Sequence, residues 1–254
     1  MLFGKYAVTY DQPKCGFADI HTHILPGIDD GAKDMAEAMA LLRLAYNNGT
    51  KVVFLTSHYR EQYKKCTQED LQHTFFMLSQ AAQQEMPDLE LYLGSEIRYK
   101  QEAPEELQAG RILSMNNSRY CLLEFYPMSV RSQIFTAVSS VRNLGYFPII
   151  AHVERNLCFL RDKTLADDVL RMGALLQLNA DSVMNAHGRK VSGFCRQLLK
   201  DGKVHFIATD AHDCIKRMPI LRECFQWVSR KYGRAYALAL FCENARAIIE
   251  DREL

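Results

Sequence analysis

Seven short runs of apolar, β-prone residues recur along this chain, with segments of helical period between most of them. The runs are FADI before His21, KVVFLT at 51–56, LELYLG at 89–94, YCLLEF at 120–125, YFPIIA at 146–151, ALLQLN at 174–179 and VHFIAT at 204–209. Strand–helix alternation dictates a parallel sheet, because each crossover returns the chain to the same end of the next strand. Runs that are apolar throughout, rather than at alternate positions, imply strands covered on both faces. Seven such units predict an α/β barrel, closed or nearly so; the pattern alone also admits an open doubly wound sheet.

The first helix is the most clearly written. Met35, Ala38, Met39, Leu42 and Tyr46 share one face, Asp34 stands at the N-cap with Glu37 three residues on, and Gly49 stops it. Further helices are expected near 68–86, 130–144, 163–172, 189–201, 219–232 and 234–250. No repeat or linker divides the 254 residues, so 17–254 read as a single domain and 1–16 as an N-terminal extension.

Composition excludes more than it suggests. Lys plus Arg is 31 against 30 for Asp plus Glu, which gives no general electrostatic reason to expect nucleic acid. No apolar run approaches membrane-spanning length, and the first residues lack a signal-peptide core, so no membrane insertion and a cytoplasmic location are expected. The eight cysteines form no CxxC pair and read as reduced thiols, several within apolar runs.

The polar residues that follow the strands carry the chemistry. His21, His23, Asp29 and Asp30 follow the first strand, His58 the second and Glu96 the third. Glu124 ends the fourth, His152 follows the fifth, and Asp210 and His212 follow the last. In a parallel barrel these ends share one rim. Residues two apart in extended chain point the same way, so His21/His23 and Asp210/His212 can each offer two ligands to one cavity. Taken singly, a strand-end histidine is more often structural, a DDG triplet is usually a turn, and a buried Glu often just pairs with Arg. Together they change the balance, because carboxylates converging without cations would repel one another and bind protons. Histidine and carboxylate ligands without thiolate suit manganese, iron or zinc. His205, inside VHFIAT, is expected in the core; His73 on a helix and His187 in a polar loop stand apart from the site.

ADIHTHILPGIDDG, TSHYR, GSEI, LLEF, AHVER and TDAH, in this order, resemble the PHP (polymerase and histidinol phosphatase) family over about residues 17–250. SRYCLLEF and AHVER are most similar to its bacterial capsule and exopolysaccharide branch, the manganese-dependent tyrosine-protein phosphatases. The resemblance implies a distorted (β/α)7 TIM-like barrel holding three divalent metal ions, most readily Mn2+. His21, His23, Glu96 and Asp210 would hold one ion. Glu96 would bridge to a second, with Glu124 and His152, and Asp30, by analogy in preference to Asp29, would hold the third with His58 and His212. Arg155 and Arg217 match positions expected to grip the substrate phosphate. Around Arg217 the chain reads DCIKRMP, where relatives often carry a glycine before the arginine. The implied activity is hydrolysis of phosphotyrosine by a metal-activated hydroxide, on a phosphotyrosine protein such as the tail of an autophosphorylated bacterial tyrosine kinase that regulates polysaccharide export.

Other readings differ in testable ways. A histidinol phosphatase would share the chemistry and differ at the rim. An amidohydrolase also begins with HxH, but often uses a carboxylated lysine where this chain has Glu124. A non-catalytic PHP module would be expected to have lost ligands. Cysteine-based phosphatase chemistry needs a glycine-bearing Cys-x5-Arg loop; only Cys224 and Arg230 have that spacing, around FQWVS in an expected helix.

Overall fold

The computed structural model describes residues 13–59, 66–162 and 164–254. Most of the expected N-terminal extension, residues 1–12, lies outside the described residues. The strands are β1 (Phe17–Thr22), β2 (Thr50–Leu55), β3 (His58–Tyr59), β4 (Glu90–Leu93), β5 (Glu96–Arg98), β6 (Tyr120–Glu124), β7 (Phe147–Ile150), β8 (Leu175–Asn179) and β9 (Phe206–Ala208). They pair in the orders β1-β2-β4 and β3-β5-β6-β7-β8-β9, every pairing parallel. β3 and β5 continue β2 and β4 beyond short breaks, so the seven expected strands are present with two of them split. At the first break the Thr56 side chain reinforces the backbone bond from Thr56 N to Thr22 O (2.9 Å): its Oγ1 accepts from Thr22 N (3.1 Å) and donates to Thr22 O (3.2 Å). The curled sheet closes where β1 meets the end of β9, with Thr22 bridged to Ala211 and hydrogen bonds from Asp210 N to His21 O and from His23 N to Ala211 O, both 2.8 Å.

The apolar runs are explained by burial on both faces. Along β6, Cys121 and Leu123 enter one apolar cluster while Tyr120 and Leu122 enter another. Along β2, Val52 and Phe54 join the second of these, and Val53 and Leu55 pack with Leu41, Leu42 and Leu78 of the first two helices. The first helix, Met35–Asn48, is capped as its sequence dictates: Asp34 Oδ1 accepts from Glu37 N (2.9 Å), and Gly49 takes the left-handed conformation at φ 106°.

Helices Gln68–Glu85, Arg131–Asn143, Leu165–Arg171 and Arg189–Lys200 lie close to their expected bounds. The helix expected from 219 begins at Arg222, because its cap is remote: Asn48 Oδ1 accepts from Leu221 N and Arg222 N at 2.9 and 3.0 Å. The last expected helix is divided into Arg234–Leu238, a π-helical turn at Ala239–Glu243, and Asn244–Ile249. Short helices at Ala103–Gln108, Leu157–Arg161 and Ala180–Val183 were not read from periodicity, since one turn shows none. His205, expected in the core, is half-buried at the opposite end of the barrel from the His/carboxylate rim, where Leu176 N donates to its Nδ1 (3.3 Å) and burial lowers its pKa to about 4.

The π-helical turn aims Phe241 at the first strand. Phe17, Phe225 and Phe241 form a triangle of rings with centroids 5.3, 6.2 and 5.5 Å apart, tying the chain's end to its start. Phe241 is fully buried, so Phe241→Ala is expected to cost about 3–5 kcal/mol in urea unfolding. A loss below about 1 kcal/mol would show that the triangle does not hold the closing segment.

Candidate metal centre

Every strand-end residue singled out in the sequence reaches the same mouth. β1 carries His21 and leads into His23. His58 and Glu96 are partners in the β3–β5 register, and Arg98 and Glu124 are partners between β5 and β6. His152 follows β7, and Asp210 and His212 follow β9. Among the described residues, four sets of donor atoms each lie within 4.8 Å of one another. They are His23, Asp30, His58 and His212; His21, His23 and Glu96; His21, His152 and Asp210; and His58, Glu96 and Glu124. Glu96 links the sets. Its Oε1 lies 2.8 Å from His152 Nε2 and 3.4 Å from His21 Nε2, and its Oε2 lies 2.5 Å from His58 Nδ1. The resemblance placed Glu124 with His152; in the structure Glu124 is grouped with His58, 3.9 Å from its Nδ1, and bound by Arg98 at 2.8 and 2.9 Å.

The two neighbouring aspartates have different surroundings. Asp29 is turned inward, accepting from His23 Nδ1 (2.7 Å), His58 N (2.8 Å) and Gly31 N (3.0 Å). The Asp30 side chain is 49% exposed and faces His58 Nε2 at 3.2 Å and His212 Nε2 at 3.6 Å. Gly31 permits this hairpin of contacts, since a Cβ there would lie 1.8 Å from His23 O.

The histidines are oriented by what their other nitrogens touch. His23 Nδ1 donates to Asp29, His21 Nδ1 to Gln177 Oε1 (3.2 Å) and His212 Nδ1 to the Asp210 carbonyl (2.9 Å). That leaves three Nε2 lone pairs aimed into the mouth. The Nε2 atoms of His21 and His23 stand 3.2 Å apart, and His212 Nε2 is buried with no hydrogen bond. Lone pairs facing one another, ringed by carboxylates, are the donor set of a cation site.

Gln177 was missed in the sequence, although the spacing of Gln177 and Asn179 repeats the two-residue step of His21 and His23. Gln177 also accepts from His152 N (2.8 Å), and Asn179 Nδ2 donates to Asp210 Oδ2 (3.1 Å). His152 and Asp210 both take positive φ, 30° and 55°, which non-glycine residues adopt at a cost of order 1–3 kcal/mol each. Asp19, also missed, joins β1 to β9: it accepts from Thr209 N (3.0 Å) and Thr209 Oγ1 (2.5 Å), and burial raises its carboxyl to about 6.

Electrostatics reflect the crowding. Burial opposes ionisation of Glu96 and Asp210, yet His21 and its neighbours hold both well below the ordinary carboxylate range. Burial likewise opposes protonation of His23, but Asp29 above all raises its pKa well above the usual imidazole value. For His58 and His152, Glu96 outweighs burial in the same direction. His212 is shifted down by burial. Arg155 and Arg217 approach from the rim, each about one-third exposed, and both contact Asp210 Oδ2, at 2.5 and 2.6 Å. Arg217 reaches it without a preceding glycine, because Asp213 Oδ1 gathers the N–H groups of Ile215 and Lys216 (2.7 and 2.6 Å) into a tight turn.

The chain is similar to known proteins over nearly its whole length. The profile of the family described as capsular polysaccharide synthesis, CpsB/CapC, matches residues 17–250. The chain is 33% identical over 239 residues to tyrosine-protein phosphatase CpsB of Streptococcus pneumoniae, covering 92% of this chain and 98% of that one. It is 28% identical over 236 residues to tyrosine-protein phosphatase YwqE of Bacillus subtilis, covering 93% and 92%. A crystal structure from work on YwqE of Bacillus subtilis and CpsB of Streptococcus pneumoniae, described as unique metal-dependent tyrosine phosphatases, superposes with a TM-score of 0.88 at 28% identity over 93% of this chain and 96% of that one. Histidinol phosphate phosphatase of Lactococcus lactis shares the fold, with a TM-score of 0.57 at 14% identity over 86% and 94%.

Two expectations follow. Carboxylates beside His23, His58 and His152 favour their protonated forms, so divalent cations and protons compete for the same imidazole nitrogens. A weakly buffered Mn2+ titration is therefore expected to release protons, with affinity rising from about pH 6 to about pH 8; affinity independent of pH would contradict the assignment. Asp29→Asn, which weakens the hold on His23, is expected to lower Mn2+ affinity about 10- to 100-fold by calorimetry.

Proposed function

The chain belongs to the CpsB/CapC family, and from that membership we propose that it is a metal-dependent protein-tyrosine phosphatase acting in capsular polysaccharide synthesis. The carrying observation is that nine histidine and carboxylate side chains and two arginines from distant strands converge on one mouth. We take the ligands to be His21, His23, Asp30, His58, Glu96, Glu124, His152, Asp210 and His212, serving three divalent ions, with Mn2+ the best fit to nitrogen and oxygen donors. Bound there, the ions supply a water ionised near neutral pH and positive charge opposite the phosphate.

The chain's own groups do the rest. Asp29, Gln177 and the Asp210 carbonyl fix the ring orientations, and Asn179 steadies Asp210. Arg155 and Arg217 are placed to turn from Asp210 to the non-bridging phosphate oxygens, which a guanidinium can hold bidentately as charge builds. Tyrosine oxygen, with a pKa of about 10, leaves more readily than an alkoxide, so little proton donation is needed. Cysteine chemistry has no support: Cys224 and Arg230 lie in one helix, and burial pushes the Cys224 thiol up, away from thiolate.

The rim favours a protein over a small phosphate ester such as histidinol phosphate. Tyr126, Met128, Val130, Met184, Ile215 and Met218 are all exposed, on loops that follow β6, β8 and β9 at the same end as the site. Exposed apolar side chains gathered about a mouth mark a surface that meets another chain. The phosphotyrosine protein we favour is an autophosphorylated bacterial tyrosine kinase. The same reading treats residues 17–254 as one catalytic domain in the cytoplasm. Four of the eight cysteines are buried free thiols, as suits a reducing compartment, and no helix among the described residues is long and apolar enough to cross a membrane.

Metal analysis with p-nitrophenyl phosphate and phosphotyrosine-peptide assays, before and after chelation, tests the proposal. Activity is expected to vanish with the metal and return with Mn2+; an equally active metal-free protein would sink it. Arg155→Gln is expected to reduce kcat/KM about 10²- to 10³-fold, while Cys224→Ser keeps activity.

A further inference from the structure

A groove of about 510 Å³ lies between the loop after β5 and the helix Arg131–Asn143. Tyr99, Phe125 and Tyr126 line one side, the rings of Tyr99 and Phe125 lying 6.0 Å apart. Ser132 and Thr136, both exposed, stand on the helix side. The lining contains no acidic side chain among the described residues and one cation, Lys100.

The groove is linked to the metal centre through Arg98. The Arg98 guanidinium lies 4.4 Å over the Tyr126 ring and bonds Glu124 on its other side. Tyr126 thus belongs to both the groove and the lip of the site. A second hollow, of about 300 Å³, opens beside Arg217, where Lys216 and Arg217 face Asp181 and Glu223, so its charges offset and it lacks the aromatic wall of the groove.

Resting on the phosphatase reading, we infer that this groove binds the peptide segment flanking the phosphotyrosine, and that it selects an aromatic or apolar side chain together with an acidic one. The apolar side chain packs on Tyr99, Phe125 and Tyr126, where aromatic contacts supply most of the binding. The acidic side chain meets Lys100 and the edge of Arg98. The helix hydroxyls pair with peptide N–H and C=O groups that leave water. Specificity thus resides on a surface that a small phosphate ester never reaches.

The test uses the Mn2+-loaded protein, two phosphotyrosine peptides and p-nitrophenyl phosphate. One peptide carries an aromatic and an acidic residue beside the phosphotyrosine; the other carries glycine and serine there. The first is expected to have a KM about tenfold lower at similar kcat. Thr136→Trp, an exposed helix position, is expected to erase that preference while kcat/KM for p-nitrophenyl phosphate stays within about twofold. Thr136→Glu should raise, and Thr136→Lys lower, the KM for the acidic peptide. Equal KM values for the two peptides, or Thr136 variants that leave the preference intact, would overturn the groove assignment and leave the phosphatase reading standing. Wild-type protein inert toward both peptides and p-nitrophenyl phosphate would instead remove the reading on which it rests.

Discussion

The molecule depends on a seam at which the barrel closes and the charges meet. β1 and β9 are joined by few bonds, notably Asp210 N to His21 O, His23 N to Ala211 O, and the Asp19–Thr209 pair beneath them. The residues that make or flank these bonds also project the side chains of the metal centre. Closure and chemistry therefore cannot be separated: opening the seam would part His21 and His23 from Asp210. The aromatic triangle of Phe17, Phe225 and Phe241 braces the same two ends of the chain with apolar surface, where no polar side chain is required.

Such a seam is electrostatically costly, which explains the density of its support. Glu96 and Asp210 are buried, and ionised carboxylates out of water need close positive partners. In the protein those partners are imidazoles and the two rim arginines. Both arginines on one oxygen of Asp210 is a tight balance that an arriving dianion can shift, since phosphate offers the same bidentate geometry. The positive φ of His152 and Asp210 belongs to the same economy of position. Each backbone is held by a hydrogen bond, from His152 N to Gln177 and from Asp210 N to His21, so that its side chain turns back over the strand end.

Much of this was legible in the sequence, and what was not has physical causes. The strands could be read because burial on both faces makes them apolar throughout, and the candidate ligands because polar residues at the ends of such strands stand out. The choice between Asp29 and Asp30 could not be made from a DDG triplet, as it depends on which carboxylate the His58 N–H reaches from another loop. Gln177 carried a readable signal in its two-residue step to Asn179, but neutral amides rarely announce a site. Arg98, beyond the run read as the third strand, was not singled out; only its register opposite Glu124 reveals its role. His205 misled because an apolar run near a strand start can still leave its first residues at the open end of a barrel.

Chemistry and recognition are encoded in different parts of the chain. The candidate ligands project from strand ends and the turns just beyond them, held by the ladder and by buried hydrogen bonds. The exposed apolar rim and the helix side of the groove lie on loops and one exposed helix face, where substitution costs little stability, while Phe125 at the groove's base packs into the core. A scaffold divided in this way can keep its metal centre while its substrate changes, because altering the loops leaves the donor geometry intact. On the proposed reading the division also locates selectivity: arginines and cations that any monoester would satisfy would supply phosphate affinity, which leaves discrimination among phosphoproteins to the surface that only a peptide can touch.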